Sequence, residues 1–78
     1  MKVKSMKRNN PRSVRGAERR GWRVLEVKDY AKKNVSWLGL CIWSDRHMKG
    51  HYVQNFQSHK FAFERDEDAS HFLMKWCL

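Results

Sequence analysis

Near its C-terminal end the chain changes period from two to 3.6, and that switch constrains the fold more than any other feature. Lys60-Phe61-Ala62-Phe63-Glu64 alternates, so Phe61 and Phe63 face one way, and Tyr52-Val53-Gln54-Asn55-Phe56 reads as its hairpin partner. Ala69, Phe72, Leu73, Trp76 and Cys77 then recur at i, i+3, i+4, i+7 and i+8, one apolar stripe of a helix that needs a sheet to cover. Asp66 can cap this helix, Glu67 and Asp68 place negative charge at its positive end, and Lys75 sits in its last turn.

Upstream, Trp22-Arg23-Val24-Leu25-Glu26-Val27 has the aromatic and β-branched content of a strand, with Trp22, Val24 and Glu26 on one face and Leu25 and Val27 on the other. Asp29 to Asn34 is a polar connection. Ser36 can cap a helix from Trp37 to about His47, before Gly50, with Trp37, Leu40, Cys41, Ser44 and Met48 roughly on one side. The rival assignment for residues 35–43 is a buried strand, because Gly39 lowers helix propensity while Trp, Ile and Val favour sheets. With the helix preferred, the order is β-α-β-β-α, an α+β two-layer domain over residues 21–78 with both helices on one face of a small sheet. A chain of 78 residues supports one modest core, and its four tryptophans and four phenylalanines offset the small size.

Charge divides the chain differently. Residues 1–20 hold eight cationic side chains (Lys2, Lys4, Lys7, Arg8, Arg12, Arg15, Arg19 and Arg20) against Glu18 alone, a net of +7. Residues 21–78 hold nine basic and seven acidic groups, a net of +2. The first 20 residues contain few large apolar groups and Asn9-Asn10-Pro11 interrupts any helix, so a basic flexible arm is expected, with Ser13 to Arg20 able to form a short helix on contact with a partner.

The pattern Phe61-x-Phe63-Glu64, then Asp68-Ala69, Phe72 and Trp76, after the tryptophan- and cysteine-containing segment Trp37 to Cys41, resembles small, mostly uncharacterised tailed-bacteriophage proteins. The likeness covers about residues 35–78 and not the basic arm. It rests on packing residues, so it implies a phage setting, the cytoplasm of an infected bacterium or a virion, and transfers no functional residue.

The arm carries the main functional expectation. Lysines and arginines on such a segment can follow a phosphate backbone and release its counterions. The candidate nucleic-acid-binding residues are Lys2, Lys4, Lys7, Arg8, Arg12, Arg15, Arg19, Arg20, Arg23, Arg46, Lys49 and Tyr52, with Lys32 and Lys33 as extensions. No zinc-finger, RNP or KH signature accompanies them, which points to sequence-independent binding of DNA or RNA. Trp22, Trp43, Tyr52 and Phe56 could stack unpaired bases if exposed, although aromatics at this spacing ordinarily build a core. The alternatives are an accessory factor that docks its aromatic body on a bacterial host protein, a minor virion component, and a tail that only confers solubility.

Other chemistry has less to stand on. Cys41, His47, His51, His59, His71 and Cys77 are possible zinc ligands, but the CxxC spacing is missing and Gly50 interrupts the one helical HxxxH, so no metal and no cofactor is expected. Both cysteines are expected to stay reduced. Asp66, Glu67 and Asp68 are explained by helix capping, and Ser44-Asp45-Arg46-His47 cannot converge as a triad from one helical turn, so the protein is expected not to be an enzyme. The longest apolar run, Trp37 to Trp43, is too short to span a bilayer, which leaves neither a membrane nor a small-molecule substrate among the expected partners.

Overall fold

The side chains of Phe61, Ala62 and Phe63 are all withdrawn from solvent in the computed structural model, which describes residues 11–77. They belong to β3 (Lys60–Phe63), the middle strand of a three-stranded antiparallel sheet with β1 (Arg23–Glu26) on one edge and β2 (Tyr52–Asn55) on the other. The register aligns Val24, Ala62 and Val53 in one row and Leu25, Phe61 and Gln54 in the next. Since successive residues point to opposite faces, Phe61 and Phe63 project from one side and Ala62 from the other.

The phenylalanine face is covered by α2 (Trp37–His47) and α3 (Asp66–Phe72), numbered after a first helix described below. Val27, Trp37, Leu40, Phe61, Phe63, Ala69 and Phe72 form this core. The Phe72 ring lies 4.8 Å from Phe61 and 5.2 Å from Phe63, and Trp37 lies 4.8 Å from Phe61, spacings at which aromatic pairs attract. Within residues 35–43 the chain is helical from Trp37 onward, with Val35 and Ser36 preceding the helix. Ser36 Oγ accepts the Gly39 N–H at 3.0 Å, as expected of its cap. Gly39, the residue that favoured a strand, is needed in the helix because a Cβ there would come within 2.8 Å of Val35 Cγ2.

The α+β class and the β-α-β-β-α order hold, but the opposite face of the sheet is not bare. Val14 to Arg19 form α1, which lays Val14 and Ala17 on Ala62, with Trp22, Val24 and Val53 around them. Residues 11–20 are therefore part of the folded domain, and the sheet is sandwiched between α1 on one side and α2 with α3 on the other. The arm expected over residues 1–20 is corrected to that extent; Lys2, Lys4, Lys7 and Arg8 lie outside the described residues. Two small residues at the crossing, Ala17 and Ala62, let the helix sit close on the strand; both are fully buried.

Local signals fix α1 at both ends. Ser13 Oγ accepts the Gly16 N–H at 3.1 Å. At the other end Trp22 N–H donates to the Ala17 carbonyl and Gly21 N–H to Glu18, both at 3.0 Å, with Gly21 at φ +84°. This is the Schellman arrangement, which needs a left-handed residue that glycine supplies without strain, and its usual apolar contact is Trp22 on Ala17.

At α3 the expected cap shifts. Arg65 occupies the cap position without a side-chain bond, and Asp66 is the first helical residue. Asp68, only 3% exposed, accepts the backbone N–H of Lys49 at 3.0 Å and of Gly50 at 2.7 Å, tying the α2–β2 connection to α3. Beyond Phe72 the chain widens into a π-type turn, Leu73–Cys77. The extra residue in the turn rotates Leu73 and Met74 towards solvent, whereas Trp76 and Cys77 still reach the core.

Two substitutions test these assignments. Asp68→Ala strands two backbone donors and is expected to cost on the order of 2–3 kcal/mol in chemical denaturation, with Asp68→Asn retaining part of it because its amide oxygen still accepts. Ala17→Leu overpacks the α1 crossing and is expected to cost about 1–3 kcal/mol, a drop of roughly 4–8 °C in melting temperature per kcal/mol for a domain of this size.

Candidate nucleic-acid interface

With Val14 and Ala17 turned to the sheet, 3.6-residue geometry sends Arg15 and Arg19 to the outward side of α1, one turn apart. Arg12 precedes the helix and Arg20 follows it, and all four arginines are exposed. Among the described residues none of them forms an ion pair. A row of guanidinium groups on a docked helix is already oriented towards solvent, so less freedom is lost on meeting a partner than from an unstructured tail.

The remaining candidates divide. Arg23 Nε lies 3.6 Å from Asp66 and Lys49 Nζ 3.4 Å from Glu67, so both are partly neutralised at the acidic start of α3. Arg46 is exposed in the last turn of α2, on the other side of the sheet from α1. Lys32 and Lys33 lie in a 3₁₀ turn, Tyr30–Lys33. The structure thus brings Arg12, Arg15, Arg19 and Arg20 together and leaves Arg23, Arg46 and Lys49 elsewhere.

Tyr52 is not a stacking platform. Its ring lies over Phe61 at 5.8 Å, and its hydroxyl donates to Asp45 Oδ1 at 2.7 Å and lies 2.9 Å from the Cys41 carbonyl. Burial, reinforced by Asp45, pushes that hydroxyl well above the usual tyrosine range. Trp22 covers α1, and Trp43 is enclosed by His47, His71, Phe72 and Trp76. Only Phe56 of the four aromatics is exposed, at 56%.

Sequence reasoning missed a cleft of about 310 Å³ between α1 and the β2–β3 turn, lined by Val14, Arg15, Glu18, Asn55, Ser58 and Lys60. Lys60 and Asn55 stand two residues from Ala62 and Val53, so they share the face that α1 covers. That alternation was available in the sequence, but it acquires meaning only once α1 is known to dock there.

The carboxylates at the start of α3 have structural duties: Asp66 and Glu67 pair with cations, and Asp68 holds backbone. Ser44 is buried, Asp45 holds Tyr52, and His47 Nδ1 meets the Trp43 carbonyl at 2.8 Å, so Ser44, Asp45 and His47 do not converge. Among the described residues no three His, Cys, Asp or Glu side chains are grouped as a metal would require, and no helix is long and apolar enough to cross a membrane. No protein family, curated protein or solved structure matches the chain.

Cys41 and Cys77 are both free. Burial pushes both thiols above the ordinary cysteine range, with Asp45 adding to the effect at Cys41 and Lys33 opposing it at Cys77. Since the thiolate is the reactive form, alkylation at neutral pH is expected to be markedly slower than for an exposed cysteine and to reach the ordinary rate in denaturant, as followed by mass spectrometry.

Proposed function

We propose that this protein binds nucleic acid without sequence preference, using the lysine- and arginine-rich first 10 residues together with the outward side of α1. One observation carries the reading: Arg12, Arg15 and Arg19 stand exposed on or beside a docked helix, with no acidic partner among the described residues. Part of the acidic charge supports it by its placement, since Asp66, Glu67 and Asp68 sit at the start of α3, on the other face of the sheet, and are engaged there, which leaves Glu18 as the one carboxylate on α1. The role is non-enzymatic and needs no cofactor. Its setting is the cytoplasm of a phage-infected bacterium, in line with the resemblance of residues 35–78.

The test is binding to a random-sequence oligonucleotide across a salt series. With six to eight phosphates contacted, log K falls against log salt with a slope of roughly −5 to −7 on duplex DNA. Replacing Arg12, Arg15 and Arg19 together by glutamine reduces the steepness by about 3 and weakens binding to all sequences alike. Deleting residues 1–20 is not a clean test, because it strips Val14 and Ala17 from the sheet; deleting residues 1–10 avoids this. Unchanged binding in both variants would sink the proposal.

A second reading has its own observation. Leu38 and Ile42, one turn apart on α2, are 67% and 45% exposed, an apolar strip of the kind that docks on another protein. On this reading the target is a bacterial host protein and the cations steer the encounter. A single stoichiometric host protein captured from nuclease-treated lysate, and lost on Leu38→Asp with Ile42→Asp, is the result expected of it.

A further inference from the structure

The cleft between α1 and the β2–β3 turn gathers opposite charges that do not neutralise one another. Asn55 and Lys60 pair across the hairpin, on the face that α1 covers, and α1 brings Arg15 and Glu18, about one turn apart, to the same cleft. Arg15, Glu18 and Lys60 nevertheless form no ion pair among the described residues, although all three line the same space of about 310 Å³. Charges held apart around open space leave room for a ligand between them, here at the small end of the range for such sites. The remaining polar groups narrow what that ligand must offer. Asn55 Oδ1 accepts the Ser58 N–H at 3.0 Å, so the Asn55 amide is left as a donor and the Ser58 hydroxyl as donor or acceptor. Glu18 is the one charged acceptor that lines the cleft.

We propose that this cleft seats one ribose and its phosphate, with the phosphate at Arg15 and Lys60 and the 2′-hydroxyl donating to Glu18, so that the protein prefers RNA to DNA. The inference rests on the nucleic-acid reading above and names the sugar. Two cations suit a phosphate, but a carboxylate beside them repels it unless the same ligand also brings a donor. The sugar–phosphate backbone of DNA carries no hydrogen-bond donor. That of RNA carries one in every nucleotide, the 2′-hydroxyl, the group by which a protein tells the two apart at a given site. Glu18 then acts against a deoxy strand and holds a ribose, and it does so without reading any base.

Anisotropy of a labelled oligouridylate and of the oligodeoxyuridylate of equal length, at matched salt and with the full chain, isolates the hydroxyl. The ribo strand is expected to bind about 2- to 12-fold more tightly, the net worth of one hydrogen bond, and its 2′-O-methyl form, which cannot donate, to bind no better than the deoxy strand. Glu18→Ala is expected to tighten binding of the deoxy strand and to abolish the preference. Glu18→Gln keeps an oxygen that accepts and loses the charge, so it should tighten both strands and retain a preference for the ribo strand. Arg15→Gln with Lys60→Gln is expected to flatten the salt slope of both strands by about 1.4. If the wild type binds the two strands equally, or if the preference survives Glu18→Ala, the ribose seat is wrong, and the basic-surface reading stands where Arg12→Gln with Arg19→Gln still weakens both strands. If the wild type binds neither strand, both fall.

Discussion

A central strand with one bulky and one small face sets the terms for everything else in this molecule. Phe61 and Phe63 present aromatic area that only a broad cover can remove from water, and α2 and α3 supply it through Trp37, Leu40, Ala69 and Phe72. Ala62, between them, presents almost nothing, so the element on that side must come close and must itself be small where it touches. Ala17 meets that condition, with Val14 and Trp22 filling the flanks. The same alternation that makes β3 a strand therefore decides what each layer can be made of.

Much of this was legible from the residues. The period change after Glu64, the β-branched run from Trp22 and the Ser36 cap each encode their element locally, and each element forms where its signal lies. A short helix within Ser13 to Arg20 was legible, but its docking on the sheet was not, because low apolar content and net charge pointed to an arm and the helix is stabilised by tertiary contacts. Its signals were present in Ser13, in the Val14–Ala17 spacing and in Gly21 before Trp22, but a six-residue helix stands only when something covers its apolar side. The candidate interface suffered from the same cause. Arginines assigned to an arm proved to be ordered on a face, Tyr52 was drawn into the core by a hydroxyl bond to Asp45, and Lys60 joined the cationic cleft through a docking event that no short window of sequence contains.

Charge follows the layers. Around the start of α3, acidic and basic side chains are matched at 3.4–3.7 Å, and Glu64 receives His51 at 3.1 Å, which holds its carboxyl below the usual range. Such exposed pairs contribute little stability. Their effect is on the external field, since they offset positive charge near the start of α3, whereas Arg12, Arg15, Arg19 and Arg20 form no ion pair among the described residues. Asp68 differs in kind: buried, it spends its charge on two backbone donors and serves the chain path rather than the field.

The Schellman closure at Gly21 has a thermodynamic corollary. Because Trp22 is at once the bonded end of α1, a wall of the minor core and the residue leading into β1, the cationic helix cannot lift away without loosening the sheet edge. Ligation at α1 and folding of the domain then draw on one shared equilibrium, so any polyanion that grips those arginines acts as a stabiliser by mass action, in proportion to the logarithm of its concentration over its dissociation constant.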